Sequence, residues 1–211
     1  MILIWILAFA ITITIHEASH AWMADHLGDP TARLMGRLSL NPLKHYDPVG
    51  TTLLLVLVAM RAFGIPVMPF GWAKPVQIDP FNLQNPKKDS ALISLAGPFS
   101  NIALSTILAI ILRIFPNTLL TSIFYPVILL NVALAVFNLL PIHPLDGGKV
   151  LVGILPDHMA KQVDLFLERY GMFLLFVFIF PMFGGFSLIS SVVSPAINFL
   201  MNLLIPGGFY I

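Results

Sequence analysis

The 211 residues are 58% hydrophobic and only 10% charged, with a formal net charge of +1 and no cysteine. Soluble globular chains carry roughly 45–50% and about 25%, so a soluble enzyme, which must clothe its core in polar surface, and a disordered chain are both excluded. No basic excess is available for a nucleic-acid partner, and disulfides, thiolate-bound zinc and thiol nucleophiles are impossible, so any metal must be held by His, Asp or Glu.

A mean hydropathy of +0.92, gathered into long runs, predicts an all-α polytopic membrane protein. The chain opens on Met1-Ile2-Leu3-Ile4-Trp5 with no basic residue or small-residue cleavage site before its first charged cluster, so a removable signal peptide is not expected. The first run, Ile2 to about Ala24, is long enough to cross a bilayer core of about 30 Å. Asp25 to Pro48 is polar and turn-rich. Thr51 to Phe63, broken by Arg61 and closed by Gly64-Ile65-Pro66, is too short for a full span and reads as a re-entrant or shallow segment. Met68 to Ser90 is rich in Pro, Gly and Asn. Ala91–Phe115 and Leu119–Leu140 are clean spans. After a polar stretch from His143 to about Asp164, two more follow at about Leu165–Phe183 and Phe186–Ile205. The expectation is about five full transmembrane helices plus the short segment, with no internal repeat and no appended soluble domain.

The first run carries polar groups that hydropathy does not explain. In Ile13-Thr14-Ile15-His16-Glu17-Ala18-Ser19-His20-Ala21-Trp22, one carboxylate and two imidazoles occupy the last turns of a membrane helix. A charged residue at the centre of such a helix costs roughly 2.5–3.5 kcal/mol on insertion scales, so groups of this kind are paired or functional. His16 and His20, four apart, share one helix face a turn apart. There both can reach one ion at nitrogen–zinc distances of about 2.0–2.1 Å. Glu17, about a quarter-turn round, is placed to act as base on water at that ion. An interfacial helix end would need polar residues but not this spacing.

Two ligands leave a catalytic zinc site one short. The candidate third is Asp146, in Asn138-Leu139-Leu140-Pro141-Ile142-His143-Pro144-Leu145-Asp146-Gly147-Gly148. Pro141 and Pro144 end the helix, and Gly147-Gly148 permits a tight turn. Asp146 is then expected on irregular backbone at membrane depth, which is tolerated only where it lines a cavity or is buried in protein. An Asp-Gly-Gly turn alone is ordinary, but opposite an incomplete HExxH it becomes a ligand candidate. For the three residues to meet, the first span and Leu119–Leu140 must run the same way, with Ala91–Phe115 opposed. Residues 25–90 must leave and return on one side. Arg33, Arg37, Lys44, Lys74, Lys87 and Lys88 then share that side, which the positive-inside rule makes cytoplasmic.

Together these motifs resemble the site-2 protease family of intramembrane zinc metalloproteases, in a compact bacterial-type form without PDZ or CBS domains. His16-Glu17-Ala18-Ser19-His20 is similar to its HExxH, Ala96-Gly97-Pro98-Phe99-Ser100-Asn101 to its GPxxN stretch, and Asn138 through Gly148 to its NxxP…LDGG element. Gly71-Trp72-Ala73-Lys74-Pro75 resembles the GWAKP element of the compact group. The resemblance implies one Zn2+ per chain held by His16, His20 and Asp146, Glu17 as catalytic base, and Asn138 as a polar catalytic residue near the scissile bond. It implies a catalytic core over residues 1–155, followed by C-terminal transmembrane helices over 156–211. It further implies a multi-pass protein of a prokaryotic cell membrane that cleaves transmembrane protein substrates.

A peptide bond inside a transmembrane helix is tied into the helix ladder, so cleavage needs local unwinding and an extended substrate needs a partner strand. Small extended β elements near the active site are therefore expected, the candidates being Arg33–Leu40 and Pro69–Val76. Gly36, Leu38, Gly71 and Trp72, with Asn101, are the candidate substrate-binding residues. Asn101 is better suited to capping or cross-linking helices than to touching substrate, and His143 to orienting Asp146 or to solvent than to serving as a fourth ligand. A metal-ion transporter or channel could use the same His/Asp cluster, but such pathways spread acidic residues over several spans or repeat their halves. A catalytically dead scaffold would not need the base.

Overall fold

The computed structural model describes residues 2–62, 64–65, 71–179 and 188–205. Among these the regular elements are all helical, in the order α1 (Ile2–His26), α2 (Thr31–Leu34), α3 (Gly50–Ala62), α4 (Pro86–Ile114), α5 (Thr118–Asn138), α6 (Asp146–Ile154), α7 (Asp157–Ile179) and α8 (Leu188–Leu204), with short 3₁₀ turns at Pro42–Lys44 and Pro80–Asn82. Three helices, α1, α4 and α5, are long and apolar enough to cross a membrane. Even α5, at 21 residues, measures about 31 Å at 1.5 Å per residue. This is a membrane protein.

The ends of these helices follow local chemistry. Gly28, at φ +103°, takes the left-handed conformation that closes α1, and the Asp29 and Gly28 amides turn back onto the Ala24 and Asp25 carbonyls. Pro86 opens α4, where Asp89 reaches back to the Asn85 amide at 2.7 Å. The Asn117 side chain caps α5 through the Leu119 and Leu120 amides.

The expectation of five full spans meets three among the described residues. α7 begins eight residues before the expected Leu165 start, and Asp157, Lys161, Asp164, Glu168 and Arg169 fall in its first thirteen residues. Its apolar part is left short of a crossing within the described residues. α8 has 17 residues, and the ends of both expected spans reach into 180–187, outside the described residues. α3 is a 13-residue apolar helix, too short to cross, as the Thr51–Phe63 reading anticipated, although Phe63 itself is not described. No strand occurs among the described residues. Gly71–Asp79 runs without regular structure, and Pro69 and Phe70 of the second candidate edge lie outside the described residues. The physical reason is that an edge segment needs a partner strand to form a ladder, and neither segment is paired with one among the described residues.

α4 is the central helix, packed on α1, α5 and α6. Its bonds fix the helix directions. Asn101 meets Thr12 while Ile93 meets His20, so α1 and α4 are antiparallel. Asn101 meets Asn131 while Ser105 meets Ile128, so α4 and α5 are antiparallel as well. α1 and α5 therefore run the same way. Ala18, Ala21 and Ala24 of α1 and Ala91, Ala96 and Gly97 of α4 are buried, and these small residues let the backbones approach closely, as membrane helix interfaces require. Ala109, Leu112, Ile128, Val132 and Ile205 form an apolar core toward the far end of α4 and α5, where α8 docks.

Candidate metal centre

His16 and His20 present their imidazoles edge to face, with ring centroids 4.6 Å apart. Their Nε2 atoms are separated by 3.1 Å, and Asp146 Oδ2 lies 3.2 Å from one and 3.3 Å from the other. The far side of each ring is anchored. His20 Nδ1 is 2.7 Å from the Ile93 carbonyl and His16 Nδ1 is 2.6 Å from Asn101 Oδ1. A carbonyl oxygen only accepts, so each Nδ1 carries a proton, and in the neutral rings this leaves each Nε2 with its lone pair.

Three lone-pair atoms thus converge in a buried triangle, and Asp146 Oδ2 is sealed from water with no hydrogen-bond donor. Such a cluster is repulsive by itself and is stabilised by a cation. The edges match one: four ligands arranged tetrahedrally at about 2.0–2.1 Å from zinc stand about 3.3–3.4 Å apart. His16, His20 and Asp146 are the one metal-ligand group of this kind among the described residues, and they fit zinc.

Each residue of the triangle is delivered by its local sequence. The i, i+4 spacing on α1 stacks the two histidines against α4 at Gly97. A Cβ on Gly97 would stand 2.5 Å from His20 Nε2 and 2.7 Å from His16 Cε1, so only glycine leaves room for the rings. The next residue, Pro98, has no N–H to offer the α4 ladder. Asp146 is not on an irregular turn, as the Asp-Gly-Gly pattern suggested, but is the first residue of α6. The two glycines make no left-handed turn. Instead a Cβ on Gly147 would meet the Leu139 and Leu140 carbonyls and one on Gly148 would stand 2.5 Å from the His143 ring, so the pair lets α6 dock closely on the end of α5 and the turn after it.

Glu17 stays outside the ligand triangle, half-buried, with its Oε2 accepting the Val76 amide at 3.1 Å. Asn138 is the last residue of α5 and half-buried. Asn101 is fully buried and joins α1, α4 and α5. Gly36 and Leu38 are exposed on the segment after α2, and Leu38 lines a groove of about 320 Å³ with Leu40 and with Ile15, Ser19 and Trp22 of α1. Gly71 and Trp72 back onto α3: a Cβ on Gly50 would stand 2.4 Å from the Trp72 ring. His143 Nε2 bonds Asp164 of α7 at 3.0 Å, away from the triangle.

Comparison with known proteins identifies the family of the chain. The sequence pattern of peptidase family M50 matches residues 115–182. YwhC of Bacillus subtilis (strain 168), named as a candidate zinc metalloprotease, is 34% identical over 83% of this chain and 78% of its own length. The chain belongs to peptidase family M50. Rip2 of Mycolicibacterium smegmatis, with a name of the same kind, is 30% identical over 75% of this chain and 58% of its own length. Stage IV sporulation protein FB of Bacillus subtilis (strain 168) is 29% identical over 72% and 53%. No solved structure matches.

Two positions of this M50 peptidase escaped the sequence reading. Gly97 was legible only as part of a motif, and its role as the cradle of the imidazoles depends on α1 lying against it. Asn131 was missed altogether, although an amide in the middle of the most apolar span was a signal.

Proposed function

We propose that His16, His20 and Asp146 hold the zinc ion of this peptidase and that Glu17 moves its protons. The protein is an intramembrane zinc metalloendopeptidase that hydrolyses peptide bonds within or near transmembrane segments of membrane-protein substrates. The observation that carries the site reading is the buried 3.1–3.3 Å triangle of bare donor atoms. When held by His16, His20 and Asp146, zinc would supply Lewis-acid polarisation of the scissile carbonyl and acidify a water toward a pKa of about 7. Glu17 accepts the proton of the attacking water and returns it to the leaving amine. The Val76 amide holds the Glu17 carboxylate from the loop side. Asn138 donates from its amide to the carbonyl oxygen as charge develops there.

Substrate is read as an extended strand beside α1. Among the described residues Leu38 and Leu40 have no backbone hydrogen bond, whereas Ser39 between them bonds Arg37 and His45. That alternation is what an edge offers a partner strand. Gly36 and Leu38 belong to this edge, and Gly71 and Trp72 to the loop that carries Val76. Asn101, buried behind His16, orients that ligand. Residues 1–155 form the catalytic core and 156–211 the C-terminal helices, with about Leu165–Phe183 and Phe186–Ile205 as the fourth and fifth crossings of a multi-pass protein. The basic residues of 33–88 put the site toward the cytoplasmic side of a prokaryotic membrane. Nothing in the family or the relatives supports metal transport.

The test needs metal analysis and one cleavable substrate. The chain purified in detergent should hold about one zinc, and Asp146→Ala should lose it. Glu17→Gln should keep zinc and lose cleavage. Zinc retained by Asp146→Ala overturns the ligand set, and substantial cleavage by Glu17→Gln overturns the base.

A further inference from the structure

One turn along from the metal ligands, three polar side chains from three helices meet in a pocket closed to water and lipid. Asn101 and Asn131 have no exposure and Thr12 only 2%. Amides at this depth cost free energy unless paired, and here each is paired in one sense only. Asn131 Nδ2 donates to the Val127 carbonyl at 2.8 Å and to the Thr12 hydroxyl oxygen at 2.7 Å. Since a backbone carbonyl only accepts, that end of the amide is the nitrogen. The Asn131 oxygen therefore faces α4, where it accepts from Asn101 Nδ2 at 2.6 Å. The same nitrogen donates to the Thr12 carbonyl at 3.1 Å, which turns the Asn101 oxygen toward His16 Nδ1, 2.6 Å away.

We infer that Asn131, assisted by Thr12, is a positioning residue for the metal centre: through Asn101 it keeps the His16 proton on Nδ1 and Nε2 turned to the metal. The inference rests on the reading of His16 as a ligand. The Asn131 side chain bonds Asn101, Thr12 and Val127 and none of the three ligands. Its effect runs through a hydrogen-bond series of fixed polarity, Val127 to Asn131 to Asn101 to His16. Partners of this kind, one shell beyond a metal ligand, set ring orientation and ligand basicity, and removing them costs about 10–100-fold in metal affinity. A residue that merely packed α5 against α1 and α4 would be replaced without such a loss by an apolar side chain of the same size.

The experiment titrates zinc against a competing chelator in the full chain in detergent, with thermal unfolding of the metal-free chain measured beside it. Asn131→Leu is compared with Val132→Ala, a neighbour with no exposure in the apolar core that lies off the series. Asn131→Leu is expected to bind zinc at least about tenfold more weakly, whereas Val132→Ala lowers the unfolding temperature and leaves zinc affinity in place. If Asn131→Leu does not fold, Thr12→Val decides, with weaker zinc binding expected. Affinity unchanged in the folded variant, or reduced no more than in Val132→Ala, overturns the inference while leaving the ligand set standing. A wild-type chain that binds no zinc overturns the ligand reading and this inference with it.

Discussion

His16 and His20 need three things from their surroundings: a proton on the far nitrogen, a small neighbour and a third donor. The first comes from the Ile93 carbonyl and the Asn101 amide oxygen, the second from Gly97, and the third from Asp146. Of these the glycine is the least forgiving. Replacing Gly97 with alanine puts a methyl within 2.5–2.7 Å of both rings, and neither ring can retreat without breaking its Nδ1 bond. Gly97→Ala is expected to lose about 1–3 kcal/mol of stability through overpacking and to bind zinc more weakly. Normal zinc content and unchanged thermal unfolding in that variant would show that the rings have slack.

At the scale of elements, the segment between α1 and α4 is organised by bonds between its turns and the helix ends. Asp29, just past α1, has no exposure and accepts from the Thr31 amide and hydroxyl, the Asp79 amide and the Asn82 side chain. It thereby ties the turn before α4 to the start of α2. Burial pushes its carboxyl up, but the hydrogen bonds from Thr31, Asn82 and Asp79 outweigh burial and hold it below the usual carboxylate range. A folded-state pKa below the unfolded value adds stability that is complete above the unfolded pKa, about 3.9, and fades as pH falls through the folded one. Wild type should therefore unfold at a higher temperature than Asp29→Asn at neutral pH, with the gap shrinking below about pH 4. A gap that does not change with pH would remove the carboxylate from the account.

The same segment carries the proposed substrate edge, which makes proline informative. Proline at Leu38 or Leu40 removes an amide that no partner among the described residues uses, so the fold has little to lose. Cleavage should fall sharply while zinc content stays at the wild-type level. Unchanged cleavage in both variants would move the substrate elsewhere. The β ladder that the sequence led one to expect is absent from the described residues for a related reason: its second strand would be the substrate.

For the whole molecule, the antiparallel packing of α1, α4 and α5 puts the ends of α1 and α5 and the start of α4 on one side. The turn at Asn117 lies on the other. Because the chain has no cysteine, single cysteines report sidedness without background. Lys88→Cys should react with an impermeant thiol reagent only from the cytoplasmic side, and Asn117→Cys only from the opposite side. The reverse pattern would invert the protein and put the metal centre outside.

Much of this was legible in the sequence because it is local or periodic. The spans α1, α4 and α5 follow from runs of apolar residues, and α3 was too short in sequence as in structure. The i, i+4 histidines with an adjacent glutamate name a metal face on any helix. Asp146 could be picked as partner because the HExxH lacks a third ligand, and that choice required the first span and Leu119–Leu140 to run the same way, as α1 and α5 do. The sequence alone determined the membrane as solvent, the metal chemistry and the relative directions of three helices. Tertiary structure alone decided the rest, since each remaining feature depends on a neighbour distant in the chain: Gly97 as the space for two imidazoles, Asp146 at the head of a helix and not on a turn, Val76 on Glu17, and an amide series that reaches α5. Periodicity specifies which face of a helix is buried, but which atoms that face meets is set only when three helices pack.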